Sequence, residues 1–367
     1  MSLYAEIFEQ PAVLTRLLTT QRDAVLAIAR DLRQRSVDYV FLAARGTSDN
    51  AGRYANYLWG AANQLPVALA TPSLFTFYHQ PPRLKNALVL GISQSGQSPD
   101  IVGVLEEGRR QGCPTLAITN CADSPLAKAA DYVLDICAGP ERAVAATKTY
   151  TAELLALAML SAALADDTAA WEALAQVPDW VAQTLQQDSS IATAAERYRY
   201  MQQCVVLGRG FNYATAFEWA LKLKELTYVS AEPYSSADFL HGPIAMVERG
   251  FPVMAVAPTG QVYAPQMELL HHLKDDLLAE LVIISNDESA LAMGKSAIRI
   301  PAATPESLTP IVSIPAGQLF AYHLTRAKGY DTEQPRTIRK VTETANYSSV
   351  SNSIPSSTYR SFRPARL

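Results

Sequence analysis

The sequence predicts an α/β protein made of two tandem copies of one unit, each a parallel β-sheet flanked by helices. Three observations lead there. Short β-branched runs alternate with amphipathic helical patterns through most of the chain, the mark of parallel strands joined by helical crossovers. Their order repeats: VFLAARGTSDNAGRYANYL (Val40 to Leu58) resembles VVLGRGFNYATAFEWALKL (Val205 to Leu223), ALVLGISQSGQS matches PVMAVAPTGQV, and TLAITN matches LVIISND. At 367 residues the chain also exceeds what one hydrophobic core usually serves.

Taken in order, the first unit is expected over 1–165. It holds N-terminal helices and the strand candidates YVFLAA, ALVLGIS, TLAITN and YVLDI. From about Thr147 to Gln203 the chain is rich in Ala and Leu, with helical periodicity and no strand signal, which predicts a long helix and then a helical connection over 166–195. The second unit, 196–344, carries CVVLGRG, PVMAVAP, LVIIS and AIRIPA. The serine-rich segment 345–367 is expected to be a solvated tail.

Composition narrows the function. With 31 basic and 35 acidic residues, the net charge of −4 argues against a nucleic-acid partner, which would need clustered Lys and Arg. The cysteines Cys113, Cys121, Cys137 and Cys204 form no CxxC pair, and are expected to be small buried hydrophobes in a reducing compartment. The start, MSLYAEIFEQP, places Glu6 and Glu9 where a signal peptide has basic and then apolar residues, and no apolar run approaches the ~18 residues of a membrane span. The expectation is a soluble cytoplasmic protein with no membrane partner. His79, His271, His272 and His323 are read as lacking a carboxylate at a ligand spacing, so no metal is assigned.

Several signatures fail on spacing. GISQS lacks the glycine two residues after Ser93 that a nucleophile elbow requires. GKS at Gly294 to Ser296 has Ser289 where a P-loop has glycine, and GRGFNY lacks the third glycine of a dinucleotide fingerprint. What remains at Ser93 to Ser98 is a turn of hydroxyls, amides and one glycine between an apolar strand and the helix after Pro99. Helix starts present unpaired N–H groups to anions, and hydroxyls beside them add neutral donors. Capping by Ser98 and turn formation would explain this stretch equally well by itself. A second polar turn, GTSDN at Gly46 to Asn50, stands at the matching end of the preceding strand and favours phosphate binding.

Acid–base groups lie in the second unit. In WALKLKEL, Lys222 and Glu225 are three apart on a predicted helix and share a face, where a salt-bridged solvent face is the alternative. A carboxylate near an open-chain sugar suits proton transfer between C1 and C2. His241 lies in FLHGP, where Gly242 and Pro243 force a turn.

The series ARGTS, SQSGQS, AVAATKTYTAE, LGRGFNYATAFEWALKLKE and HGP resembles the double sugar-isomerase (SIS) domain family. It is similar to the isomerase half of glutamine:fructose-6-phosphate amidotransferases, and SQSGQSPDI, AVAATKTY, SSADFLHGP and KVTET are most like the stand-alone glucosamine-6-phosphate deaminases. The resemblance implies a flavodoxin-like three-layer sandwich in each half. It implies a phosphate held by Thr47, Ser48, Ser93, Gln94, Ser95 and Ser98, with the backbone at Val144 and Ala146 flanking the sugar. Ala146 stands where the synthases have serine. Glu225 would carry the proton with Lys222 as its electrostatic partner, and Lys340 matches a near-terminal lysine that forms an imine with the sugar. His241 would open the ring from the neighbouring subunit, making a homodimer part of the site; Asp238 replaces a glutamate beside it.

Neither organic cofactor nor metal is implied. With no cysteine before Cys113 to serve a glutaminase, the expected reaction is deamination of glucosamine 6-phosphate to fructose 6-phosphate and ammonia. An aminotransferase-like isomerase, a fructosamine- or galactosamine-6-phosphate deaminase, and a sugar-phosphate-binding regulator are the alternatives.

Overall fold

The computed structural model of the chain describes residues 2–340. The tail 345–367 and the end of the KVTET motif lie outside the described residues.

Two five-stranded parallel sheets form the halves. The first contains β1 (Tyr39–Ala43), β2 (Val67–Leu69), β3 (Ala87–Ser93), β4 (Thr115–Thr119) and β5 (Tyr132–Asp135), in the order β2-β1-β3-β4-β5. The second contains β6 (Gln203–Gly208), β7 (Ser230–Ser235), β8 (Pro252–Val256), β9 (Glu280–Ser285) and β10 (Ser296–Arg299), in the order β10-β9-β8-β6-β7. Read from the other edge, the second order is the first repeated, so the internal duplication seen in the sequence extends to topology. The sequence expectation named eight of these strands and missed β2 and β7. Both are edge strands beside the first strand of their sheet, β2 only three residues long and β7 interrupted by Glu232 and Pro233. An edge strand lacks the two-sided burial that makes an interior strand read as an apolar run.

A layer of helices joins the halves. The helix Lys148–Ala165 is buried at every position from Lys148 to Ala163, as suits an Ala/Leu-rich stretch apolar on all sides. It packs on the N-terminal helix Gln10–Arg33 and on Gly46–Asn63, which in turn meets Tyr213–Lys222 from the second half. One continuous apolar core therefore runs through both units, including Leu90, Ile118, Leu154, Trp219, Val282 and Phe320. Each fully buried Leu or Phe there contributes roughly 1.5–3 kcal/mol. Smaller clusters lie behind each sheet, around Val89 and Leu105 and around Val253 and Ile283.

The cysteine expectation holds for Cys113 and Cys204 and fails for the other two. Burial pushes the Cys204 thiol up to about 12, whereas Cys121 is exposed and Cys137 half-buried. Both lie in loops just past strand ends, outside the buried strand interiors. Among the described residues, no helix is long and apolar enough to cross a membrane.

Candidate functional site

β1 and β3 are neighbours, with Ala43 paired to Gly91, so their carboxyl ends open side by side. After β1, Arg45 is extended and Gly46 takes φ +54°, starting the helix Gly46–Asn63. Thr47 and Ser48 thus lie in the first helical turn, where the sequence suggested a separate polar turn. After β3, residues 94–98 lead into the helix Pro99–Arg110. Gly96 has φ +62°, and a Cβ there would come within 2.1 Å of Ser124 Oγ, so both conformation and space require glycine. The backbone carbonyls of Gln94 and Gly96 accept from Asn120 and Leu126, each at 3.1 Å, pinning the turn to the next strand end. Ser93 Oγ accepts the Gly96 N–H, and Ser95 Oγ the Gln97 N–H. Ser98 holds the N-cap position without a capping bond from its side chain, so the simpler explanation of that serine does not apply. Arg45 clasps Asp100 at 2.7 Å and ties the two turns together.

The second group belongs to the helix Tyr213–Lys222, which passes into a π-helical turn over Leu223–Thr227. Such turns are rare and recur at functional sites. Lys222 is 1% exposed, and its Nζ lies 2.6 Å from Glu225 Oε2, 3.3 Å from Glu218 Oε1 and 3.2 Å from Thr47 Oγ1. Thr47 donates its hydroxyl proton to Glu218 Oε1, and Asn50 donates to Glu218 Oε2 at 2.8 Å. Two residues of the first half therefore complete a charged cluster of the second. Burial acts to lower the Lys222 pKa, but Glu218 and Glu225 outweigh it and hold the ammonium well above the usual lysine range. Burial pushes the Glu218 carboxyl up to about 7, against Lys222 and Asn50. Glu225 is the member that reaches solvent, one quarter exposed.

A third group surrounds the loop before Lys148–Ala165, where Val144 and Ala146 are half-buried. Glu141 Oε1 accepts from the Thr147 and Thr149 N–H groups, and its Oε2 accepts from Thr149 Oγ1 and, at 2.6 Å, from Lys340 Nζ. Buried Glu6 accepts the Arg142 and Ala143 N–H groups from the other side. Lys340 is thereby docked against the loop that carries Val144 and Ala146.

His241 and Asp238 are exposed, and among the described residues the His241 imidazole has no hydrogen-bonding partner in its own chain. It is not brought into the Lys222 cluster. The other histidines need a correction: His271 and His272 each meet a carboxylate four residues on, Asp275 at 3.1 Å and Asp276 at 2.7 Å, and His323 meets Asp188 at 2.7 Å. These are isolated pairs; among the described residues no group of three or more His, Cys, Asp or Glu is placed to hold a metal.

Glu218, Glu153 and Glu141 escaped the sequence reading. Glu218 had a signal, since it precedes Lys222 by four and so lies on the same helix face. Glu153 had a weaker one, as a lone carboxyl inside an otherwise apolar helix. It is fully enclosed and hydrogen-bonded to Ser48 Oγ at 2.8 Å.

The SIS domain pattern matches residues 35–163 and 198–327. The glutamine–fructose-6-phosphate aminotransferase (isomerizing) of Aquifex aeolicus is 34% identical over 343 residues, covering 91% of this chain and 56% of that protein. The chain thus spans about half the length of the curated relatives it matches. Among solved structures, a candidate phosphosugar isomerase from Silicibacter pomeroyi DSS-3 is 33% identical, with a TM-score of 0.81 over 90% of this chain and all of that one. The C-terminal domain of glucosamine-fructose-6-phosphate aminotransferase from Francisella tularensis is 27% identical, with a TM-score of 0.82 over 91% of this chain and 98% of that domain. With the pattern present in both halves and a relative matched over its whole length, the chain belongs to the SIS domain family.

Proposed function

We propose that this protein is a phosphosugar isomerase that moves a proton between C1 and C2 of an open-chain hexose or hexosamine 6-phosphate, as an isomerase of the aminotransferase type. One observation carries the reading: Lys222, fully buried, fixes Glu225 Oε2 at 2.6 Å, while a quarter of the Glu225 side chain stays open to solvent. A base held in one orientation by a permanent cation takes a proton from one carbon and returns it to the next. The same ammonium offsets the negative charge that develops on the sugar oxygen. Thr47 keeps Lys222 against Glu218, so its own hydroxyl is committed inward. The 6-phosphate falls to the helix starts, with Ser48, Ser93, Gln94, Ser95 and Ser98 as neutral donors. The backbone at Val144 and Ala146, with Lys340 behind it, flanks the sugar.

His241 takes ring opening in this reading. Its exposed turn and its lack of a hydrogen-bonding partner among the described residues support donation to a neighbouring subunit's site in a homodimer. The sequence expectation of free ammonia as product has less support than its alternative, because relatives at about a third identity are aminotransferases.

Solvent-deuterium exchange into fructose 6-phosphate tests the proton transfer. Wild type should exchange, and Glu225→Gln should bind the sugar phosphate yet exchange ~10²- to 10⁴-fold more slowly. Unchanged exchange in the variant removes Glu225 from its role, and binding by wild type without exchange identifies a sensor. Ammonia release from glucosamine 6-phosphate in the same samples decides whether deamination occurs.

A further inference from the structure

Glu153 is a carboxyl for which the isomerase chemistry has no use. It lies on the helix Lys148–Ala165 with a side chain 1% exposed. Its Oε1 is hydrogen-bonded to Ser48 Oγ at 2.8 Å, while its Oε2 is buried with no partner among the described residues. Facing it are Glu141 from the preceding loop, Glu218 from the helix Tyr213–Lys222, and Lys340 from the C-terminal segment; Tyr150 on its own helix adds a buried hydroxyl. Burial dominates and pushes the Glu153 carboxyl up to about 8, so it keeps its proton at neutral pH.

We propose that Glu153 is a positioning residue that sets the direction of the Ser48 hydroxyl, so that its protonation controls the affinity of the site for a sugar phosphate. A serine hydroxyl has one hydrogen to give. Neutral Glu153 donates its own O–H to Ser48 Oγ and leaves the serine hydrogen free for an anion at the start of the helix Gly46–Asn63. Ionised Glu153 has only lone pairs, so it takes that hydrogen and turns the serine lone pairs toward the ligand. Loss of one proton thus converts a phosphate donor into an acceptor. The inference rests on the phosphate placement given above, at the turn containing Ser48.

The test is calorimetric titration of the full chain with fructose 6-phosphate between pH 6.5 and 9.5. The second phosphate pKa is about 6, so above pH 7.5 the ligand charge is constant. Wild-type Kd is expected to rise about tenfold or more from pH 7.5 to 9.5, the size of losing one bond to a charged group. At pH 9, buffers of different ionisation heat should reveal net proton uptake, about half a proton per ligand bound for a tenfold change in Kd. In Glu153→Gln the amide donates at every pH, so the slope and the proton uptake should both vanish. A variant slope equal to that of wild type, or a flat wild-type profile, overturns the inference. If Glu153→Gln fails to fold, absence of proton uptake by wild type at pH 9 overturns it alone. Ser48→Ala separates the two levels: affinity equal to wild type at pH 7 overturns the phosphate placement itself, whereas weakened binding beside a flat wild-type profile overturns only the role of Glu153.

Discussion

The two halves begin their central helices alike and then use them for opposite ends. Arg45 and Arg209 share an extended backbone, φ −140° with ψ 151° and 153°, and each precedes a glycine at φ +54° or +60°. Counted from those glycines, Thr47 and Ser48 correspond to Phe211 and Asn212. Further along, Tyr54, Leu58 and Ala61 stand where the second half has Glu218, Lys222 and Glu225. Both helical stretches stop at a left-handed residue, Gln64 at φ +54° and Tyr228 at φ +58°. One backbone plan therefore carries polar donors at its start in the first copy and acid–base groups near its end in the second.

The next turn shows the same division. In the first half, Gly96 sits in a hydroxyl-rich turn at the helix start. In the second, the matching Gly260 lies against Glu306, whose carboxylate accepts the Gln261 N–H at 2.8 Å, while Asn286 Oδ1 accepts from Thr259. A side chain of the protein occupies there the place that the proposed function assigns to the phosphate in the first copy. Duplication supplied two such turns, and the second is closed from within by Glu306.

The largest effect that would break this comparison is on Lys222. Lys222→Met leaves Glu218 buried without its countercharge and should cost about 3–5 kcal/mol in urea unfolding, whereas Leu58→Met at the corresponding position should cost less than about 1.5 kcal/mol. Equal costs would mean that the charged cluster is not a stability element. Next comes Gly96→Ala, in which left-handed strain adds to the clash with Ser124, for a cost of about 2–3 kcal/mol and loss of sugar-phosphate binding. Gly46→Ala meets nothing within 4 Å and should show only the strain, about 1–2 kcal/mol. The smallest effect belongs to Glu306→Gln, which keeps an acceptor for Gln261. It should cost about 1 kcal/mol and leave sugar-phosphate affinity within twofold, and a larger loss of affinity would show that the closed turn still serves the ligand.

Much of the fold was legible because helix and interior-strand patterns are local. The missed strands, Val67–Leu69 and Ser230–Ser235, are held by pairing at a sheet edge more than by an apolar pattern of their own. Within the site, Lys222 and Glu225 were legible from three-residue spacing, and the hydroxyl turns from their place after strands. One contact of Thr47 was not legible: its hydroxyl proton goes to Glu218, a residue far away in the chain.

The sequence by itself determined the duplicated α/β plan, the polar turns and the helical Lys–Glu pair, since the turns and the pair are local patterns and the duplication is the recurrence of such patterns in the same order. Only the tertiary structure decided that Thr47 and Asn50 complete the Lys222 cluster, that Glu153 meets Ser48, and that Glu141 receives Lys340. Those contacts form because the two sheets share one helical layer. Burial there makes polar groups depend on partners, and packing supplies most of them from residues a hundred or more positions away in the chain.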